Sequence, residues 1–481
     1  MKKYIILIVS TISIIFTGCA ENKHLEEFMQ SLKLENRKAA TASVNHAVVT
    51  DTEQLTLPIK TEEINLHQYY QTIIKQTTEE TNQGYILNEA FLNWFTEEYG
   101  TDRIKEIADC IETGKQSPDF WYEQTGNTMH VLWMNYCKAT GIQPYRLENA
   151  EWKDCASEDE VTLAFTGDIN FSEGYVTTKH LDRAENGIQD CFSEDLLTVM
   201  NTMDIMMINN EFTYSTRGKA LAGKAYTFRA DPSRVELLET FGTDIVSLAN
   251  NHVYDFGPEA LLDTISTLNE AGIPNIGAGA NLKEASKPYY FICNGRKIAI
   301  VAATQIERSL NYTKEATADS PGVLKALKPD KFVEVIKNAK KDSDIVIAFV
   351  HWGTEGDSNY GRDQNELAKA FVEAGADAII GGHTHCLQGF EIMDGVPIIY
   401  SLGNFWFSSK TQDTGLAKLT IDDKGELTLS FIPCIQQNFC TYLVTEEVEK
   451  KRILDFMQEH SAPEILVTPE GEVYCNDESI E

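Results

Sequence analysis

A chain of 481 residues is longer than one ordinary core serves, so two or three domains are expected. A hydrophobic share of 42% with 24% charged residues argues against wholesale disorder, and a net charge of -32 argues against a nucleic-acid partner, whose phosphates need clustered Lys and Arg. The same charge repels any anionic substrate, which must be drawn in locally by metal ions or a basic loop.

The chain opens as a targeting segment. Met1-Lys2-Lys3 is basic, Tyr4 to Phe16 is apolar, and Phe16-Thr17-Gly18-Cys19 has the form of a bacterial lipobox. The apolar run is shorter than the ~20 residues a membrane span requires. Residues 1–19 are therefore expected to be a lipoprotein signal peptide. Lipidation at Cys19 would tie the protein to membrane lipid, extracytoplasmic and anchored at the cell membrane. Ten cysteines less Cys19 leave an odd number, so at least one thiol is free or pairs between chains. Cys434 and Cys440 are a candidate pair, and the absence of Cys-x-x-Cys argues against a structural zinc ribbon.

Residues 20–62 are polar and without period, as in a flexible tether. Residues 63–156 read as a small α-helical domain. Leu87, Phe91, Trp94, Phe95 and Tyr99 fall near helical spacing, and a second helix is expected from Asn127-Thr128 through Val131, Leu132 and Tyr136 to Gly141. Plain core packing accounts for these aromatics.

From Val161 short apolar strands alternate with amphipathic helices, the pattern of a layered α/β fold, and residues 157–445 are assigned to this main domain. Strands are expected at 161–166, 204–208, 244–248, 297–303, 345–350, 378–380 and 397–401. Helices are expected at 233–240, 258–271, 331–340 and 364–374. Residues 415–432 form a hairpin turning at Asp422-Asp423-Lys424-Gly425, and residues 446–481 a C-terminal helix and acidic tail.

Chemistry-bearing residues stand where these strands end. Asp168, Glu211, Asn251 with His252 and Asp255, His351, and His383 with His385 follow five different strands. Strand ends of one sheet class converge on one crevice. Carboxylates with imidazoles suit two divalent ions such as Mn, Fe or Zn, about 3.5–4 Å apart and sharing a bridging carboxylate.

Gly167-Asp168, Asn209-x-Glu211, Ala249-Asn250-Asn251-His252-x-x-Asp255, His351-Trp352-Gly353-x-Glu355, Gly382-His383-x-His385 and Tyr400-Ser401-Leu402-Gly403-Asn404-Phe405 resemble the poly-γ-glutamate capsule-synthesis (CapA) family, related to calcineurin-like metallophosphoesterases. The resemblance covers about residues 161–436. It implies a layered metallophosphoesterase-like β-sandwich flanked by helices. It also implies metal ligation by Asp168, Glu211, Asn251, His351, His383 and His385, with Glu211 bridging. His252 would face the substrate as an unligated catalytic imidazole, oriented by Asp255. Asn170 stands where the related phosphoesterases carry a histidine, and Glu211 where they carry an aspartate.

The segment after Glu211 holds Arg217, Lys219, Lys224 and Arg229. It reads either as a solvated loop or as a substrate-binding cationic rim that recruits a polyanion. Two functions remain open. One is a metal-dependent hydrolase acting on an anionic polymer or phosphoester. The other is a non-catalytic, polymer-binding accessory of capsule assembly, working with capsule-synthesis membrane proteins.

Overall fold

The structure, a computed structural model, describes residues 69, 70, 73, 89–113, 120–127, 129–140, 149–153, 155–157, 159–308 and 310–476. The expected signal peptide with Cys19, the tether, Leu87, Thr128 and Gly141 lie outside the described residues. No helix among the described residues is long and apolar enough to cross a membrane.

Helices Glu89–Tyr99, Thr101–Glu112, Phe120–Thr125 and Met129–Thr140 lead the described chain. Their apolar faces pack as the periodicity predicts. The buried Phe91 ring lies 5.8 Å from Trp133 and 5.4 Å from Tyr136, and Phe95 stacks on Tyr99 at 4.6 Å. The expected boundary at residue 156 is overrun, because Ala150–Lys153 (β1) already belongs to the main domain as an edge strand.

Two sheets form that domain. The first runs in the order β1, Tyr289–Cys293 (β6), Arg296–Thr304 (β7), Ile345–His351 (β8), Ala378–Gly382 (β9), Val396–Leu402 (β11), Leu387–Met393 (β10). The second has as its centre Glu160–Ile169 (β2), Ile205–Asn210 (β3), Ile245–Ser247 (β4) and Asn275–Ile276 (β5), all parallel. The long hairpin Gln412–Asp422 (β13) and Leu427–Gln437 (β14) pairs antiparallel to β2, while Asn404–Trp406 (β12) lies parallel beside it.

Strand alternation assigns the faces. Leu163, Phe165, Ile205 and Met207 point inward to meet Ile298, Ile300, Ile347, Phe349 and Ile380 of the other sheet. Ala164, Met206, Ile208 and Val246 face outward, under Glu194–Asn201 and Pro258–Glu270. Val346, Ala348 and Val350 do the same beneath Asp330–Asp342 and Arg362–Glu373. The result is helix, sheet, sheet, helix, with the main core between the sheets.

The C-terminal end departs from expectation. After the helix Glu447–Glu459, the expected acidic tail instead forms Ile465–Val467 and Glu472–Cys475, which extend the second sheet beyond β14. The Cys434–Cys440 pair is not made: Cys434 registers with Leu443, and Cys440 with Gln437, three steps further along the same hairpin. At ~3.3 Å per residue that separation is about 10 Å, beyond the reach of a disulfide.

Candidate metal centre

The parallel strands β2, β3, β4, β8 and β9 end at one edge, and their ends carry the predicted ligands. Gly167 lets β2 approach closely: a Cβ there would lie 2.0 Å from the carbonyl oxygen of Gly403. That contact, with Asp168 N donating to Gly403 O at 2.9 Å, brings Asp168 beside the Gly403-Asn404 turn. His383 and His385 sit in the loop leaving β9 with φ of 98° and 58°, conformations that histidine seldom adopts.

All six predicted ligands come together, all buried except the half-buried His385. His351 Nε2 faces Asn251 Oδ1 at 2.8 Å, His383 Nδ1 at 3.1 Å and Glu211 Oε1 at 3.4 Å. On the other side His385 Nδ1 lies 3.3 Å from Asp168 Oδ2 and 2.8 Å from Asn404 Oδ1. The groups Glu211–His351–His383 and Asp168–Glu211–His385 each place their ligand atoms within 4.8 Å of one another, and they share Glu211.

Divalent metal suits these residues. Ligand atoms about 2.0–2.1 Å from a tetrahedral ion stand roughly 3.3–3.4 Å apart, the spacing of His351 Nε2 from Glu211 Oε1, with His383 Nδ1 slightly closer. Neither carboxylate oxygen of the buried Glu211 receives a hydrogen bond from a donor among the described residues. A buried carboxylate without donors is costly unless a cation satisfies it.

The electrostatics agree. Burial, then the neighbouring Asp168, pushes the Glu211 carboxyl well above its usual range. Burial acts on Asp168 too, but there His385 and His351 outweigh it and hold the carboxyl low. Burial pushes His351 down to about 3 and His383 well below its ordinary value, leaving neutral imidazoles of the kind that metals bind. His385 goes the other way: burial lowers it, and Asp168 more than restores it.

His252 stands beside the ligands. Its Nδ1 donates to Asp255 Oδ2 at 2.7 Å, which leaves Nε2 directed toward Glu211 Oε1 at 4.0 Å. Asp255 is itself fixed by Phe228 N at 2.7 Å and Lys224 Nζ at 2.6 Å. Burial outweighs Asp255 and lowers the His252 pKa.

Of the four loop cations, only Lys224 reaches this site. Its side chain is 7% exposed and points inward, to Asp255, the Asn251 carbonyl and Glu307 at 3.4 Å. Arg217 turns to Asp263, with Nε 3.0 Å from Oδ2. Arg229 lies over the Phe256 ring and donates to the Arg217 carbonyl at 3.0 Å, while Lys219 is exposed. The four cations therefore do not line a single rim.

Several further residues help to build the site. Asn209 Nδ2 donates to Asp168 Oδ1 at 2.7 Å, and Thr313 Oγ1 to the Asn251 carbonyl at 2.6 Å. Glu307 follows β7, so this sixth strand end also contributes to the site. Phe228 and Phe407 pack on His252 and His385 with centroids 4.4 and 4.9 Å apart. Asn209 was legible as the first residue of Asn209-Asn210-Glu211; the aromatic contacts carried no local signal. Asn170, in the unusual position, accepts from Ser172 N with its Oδ1 at 2.8 Å, and its buried Nδ2 has no partner among the described residues. Its free end is therefore a donor and not a metal ligand.

Known proteins extend this picture. A 5'-nucleotidase from Candida albicans shares 11% identity over 58% of this chain and 52% of its own, with a TM-score of 0.33, too low to carry an argument. The capsule biosynthesis protein CapA of Bacillus anthracis is 34% identical over 239 residues, 48% of this chain and 57% of that relative. The PGA biosynthesis protein CapA of Bacillus subtilis is 32% identical over 276 residues, 56% of this chain and 70% of the relative. The family model for the bacterial capsule synthesis protein PGA_cap matches residues 162–409, which span every metal-centre residue named above, and the chain belongs to that family.

Proposed function

We propose that this chain is a metal-dependent hydrolase of the phosphoesterase type. It would act at the outer face of the cell membrane, anchored through Cys19, on an anionic polymer or phosphoester in capsule or poly-γ-glutamate synthesis and export. The observation that carries the reading is Glu211, buried, without donors among the described residues and common to both ligand groups. Asn251, His351 and His383 would complete one ion's set, Asp168 and His385 the other's. Imidazole with carboxylate and no thiolate suits Mn, Fe or Zn. Two such ions supply Lewis acidity toward a phosphoryl or carbonyl oxygen and activate water.

The chain's own residues handle the proton. Asp255 accepts from His252 Nδ1, so the tautomer leaves Nε2 as an acceptor on the site side. Nε2 can take a proton and return it to the leaving group. Lys224 balances the Asp255 charge, and Phe228 covers the imidazole from solvent. The names of the Bacillus relatives, capsule and PGA biosynthesis proteins, support the process named. Capsule-synthesis membrane proteins are the corresponding partners.

The test joins metal content with hydrolysis of phosphomonoesters, phosphodiesters and poly-γ-glutamate. About two ions per chain are expected. Asp168→Ala should lose metal and activity together, while His252→Ala should keep metal and lose activity by ~10²-fold or more. Metal-replete protein inert toward every substrate would sink the proposal.

Asn170 favours a second reading, since its donor end leaves the Asp168 group one ligand short of the related phosphoesterases. In that reading the site grips polymer carboxylates without cleaving them. Poly-γ-glutamate binding that survives His252→Ala but not Asp168→Ala supports it.

A further inference from the structure

Away from the metal centre, the tip of the β14 hairpin meets a short helix. Cys440–Leu443 (β15) returns from β14, and Thr441 forms a parallel bridge with Phe192, just past the turn Gly187–Cys191. Ser193 N donates to Thr441 O at 3.0 Å and holds the two backbones together. Cys191 and Cys440 each precede a bridged residue, so they occupy matching positions on neighbouring backbones, about 4.8 Å apart. That is within the ~4.4–6.8 Å between Cα atoms that a disulfide spans.

The Cys440 sulfur is directed at the end of that turn. Cys440 Sγ lies 3.4 Å from the carbonyl oxygen of Asp190, the residue joined to Cys191, and 3.5 Å from His180 Nε2. Both cysteines are buried. A hydrogen bond from Cys191, with Tyr442 and His180 assisting against burial, pulls the Cys440 thiol down to about 6, and the same bond pushes Cys191 up. The pairing therefore favours the thiolate on Cys440 over Cys191.

We infer that Cys191 and Cys440 are an oxidisable pair that closes into a disulfide, joining the Gly187–Cys191 turn to the β14–β15 hairpin tip. A small disulfide such as oxidised glutathione is the oxidant. The Cys440 thiolate attacks it, forming a mixed disulfide and releasing one glutathione thiolate. Cys191 then gives up its proton, attacks the Cys440 sulfur and releases the second glutathione. The cysteine pair loses two electrons, the proton that Cys191 gives up passes to a departing glutathione thiolate, and one glutathione disulfide becomes one glutathione thiol and one glutathione thiolate.

The purified full chain is incubated with oxidised glutathione, denatured, alkylated without reductant and mapped by peptide mass spectrometry. A Cys191–Cys440 cross-linked peptide that reductant separates is expected, with Cys434 recovered alkylated. In Cys440→Ser, Cys191 becomes alkylatable; should that variant fail to fold, the wild-type map decides alone. Oxidised protein is also expected to melt at higher temperature than the reduced form. Recovery of both cysteines as alkylated thiols, a Cys440–Cys434 link, or glutathione retained on Cys440 with Cys191 alkylated overturns the inference.

Discussion

Single residues divide cleanly by whether their role is local. Asp168, Glu211, His351, His383 and His385 were legible because each interrupts or ends a run of apolar residues, where a polar side chain has no packing purpose. Lys224 was not, since its inward course is set by Asp255, 31 positions away. Lys325 is another buried cation. It is 7% exposed, donates to the Ile306 carbonyl, and is lowered to about 8 by burial despite Glu307 and Glu315. Its unfolded value is about 10.4, so between about pH 8 and 10.4 the unfolded chain binds more protons and stability rises with pH. Wild type should therefore gain on Lys325→Met by on the order of 2–3 kcal/mol across that window. Urea melts at a series of pH values check this, and parallel curves would refute it.

Elements were legible where burial on both faces makes them uniformly apolar. Ile345–His351 and Ala378–Gly382 are buried at every position, and their sequences read as strands without context. Glu472–Cys475 buries only Val473, so pairing to β14 rather than composition makes it a strand. The helices Pro258–Glu270 and Arg362–Glu373 end one residue short of the expected 271 and 374, before Gly272 and Gly375, both at positive φ. One substitution tests how element packing serves the site. Gly167→Ala forces a Cβ into the Gly403 carbonyl, so β2 must withdraw from the turn that supports His385. A loss of at least ~1–3 kcal/mol is expected, together with weaker metal binding. Thermal melts and metal titration of the same variant check both, and unchanged affinity would separate the turn from the site.

At the scale of the whole molecule, the layered architecture follows from strand–helix alternation, but the partition of strands between two sheets does not. β2 and β7 are both apolar, each with a parallel neighbour (β3, β8) and an antiparallel one (β13, β6), and only their inward faces, meeting across one core, reveal the sandwich. The metal centre sits on an edge fed by both sheets, so a bound ion ties the layers together. Ions that bind only the folded chain stabilise it by about 2.7 kcal/mol at 100 times their dissociation constant. Wild type should accordingly melt higher with Mn or Zn and lower with chelator, while Glu211→Gln should respond to neither. Calorimetry with and without chelator reads the difference.

The loop of His383 and His385 has a consequence for how this protein tolerates change. Alanine ordinarily outranks glycine in a folded chain, because it leaves the unfolded state less freedom. At His383, with φ of 98°, that order should reverse. Glycine and alanine remove the same imidazole and the same ligand, yet only glycine relaxes the backbone. In metal-free protein His383→Gly should be the more stable of the two by about 1 kcal/mol or more. The gap between two inert replacements thus measures the conformational tension that histidine bears to present its ring.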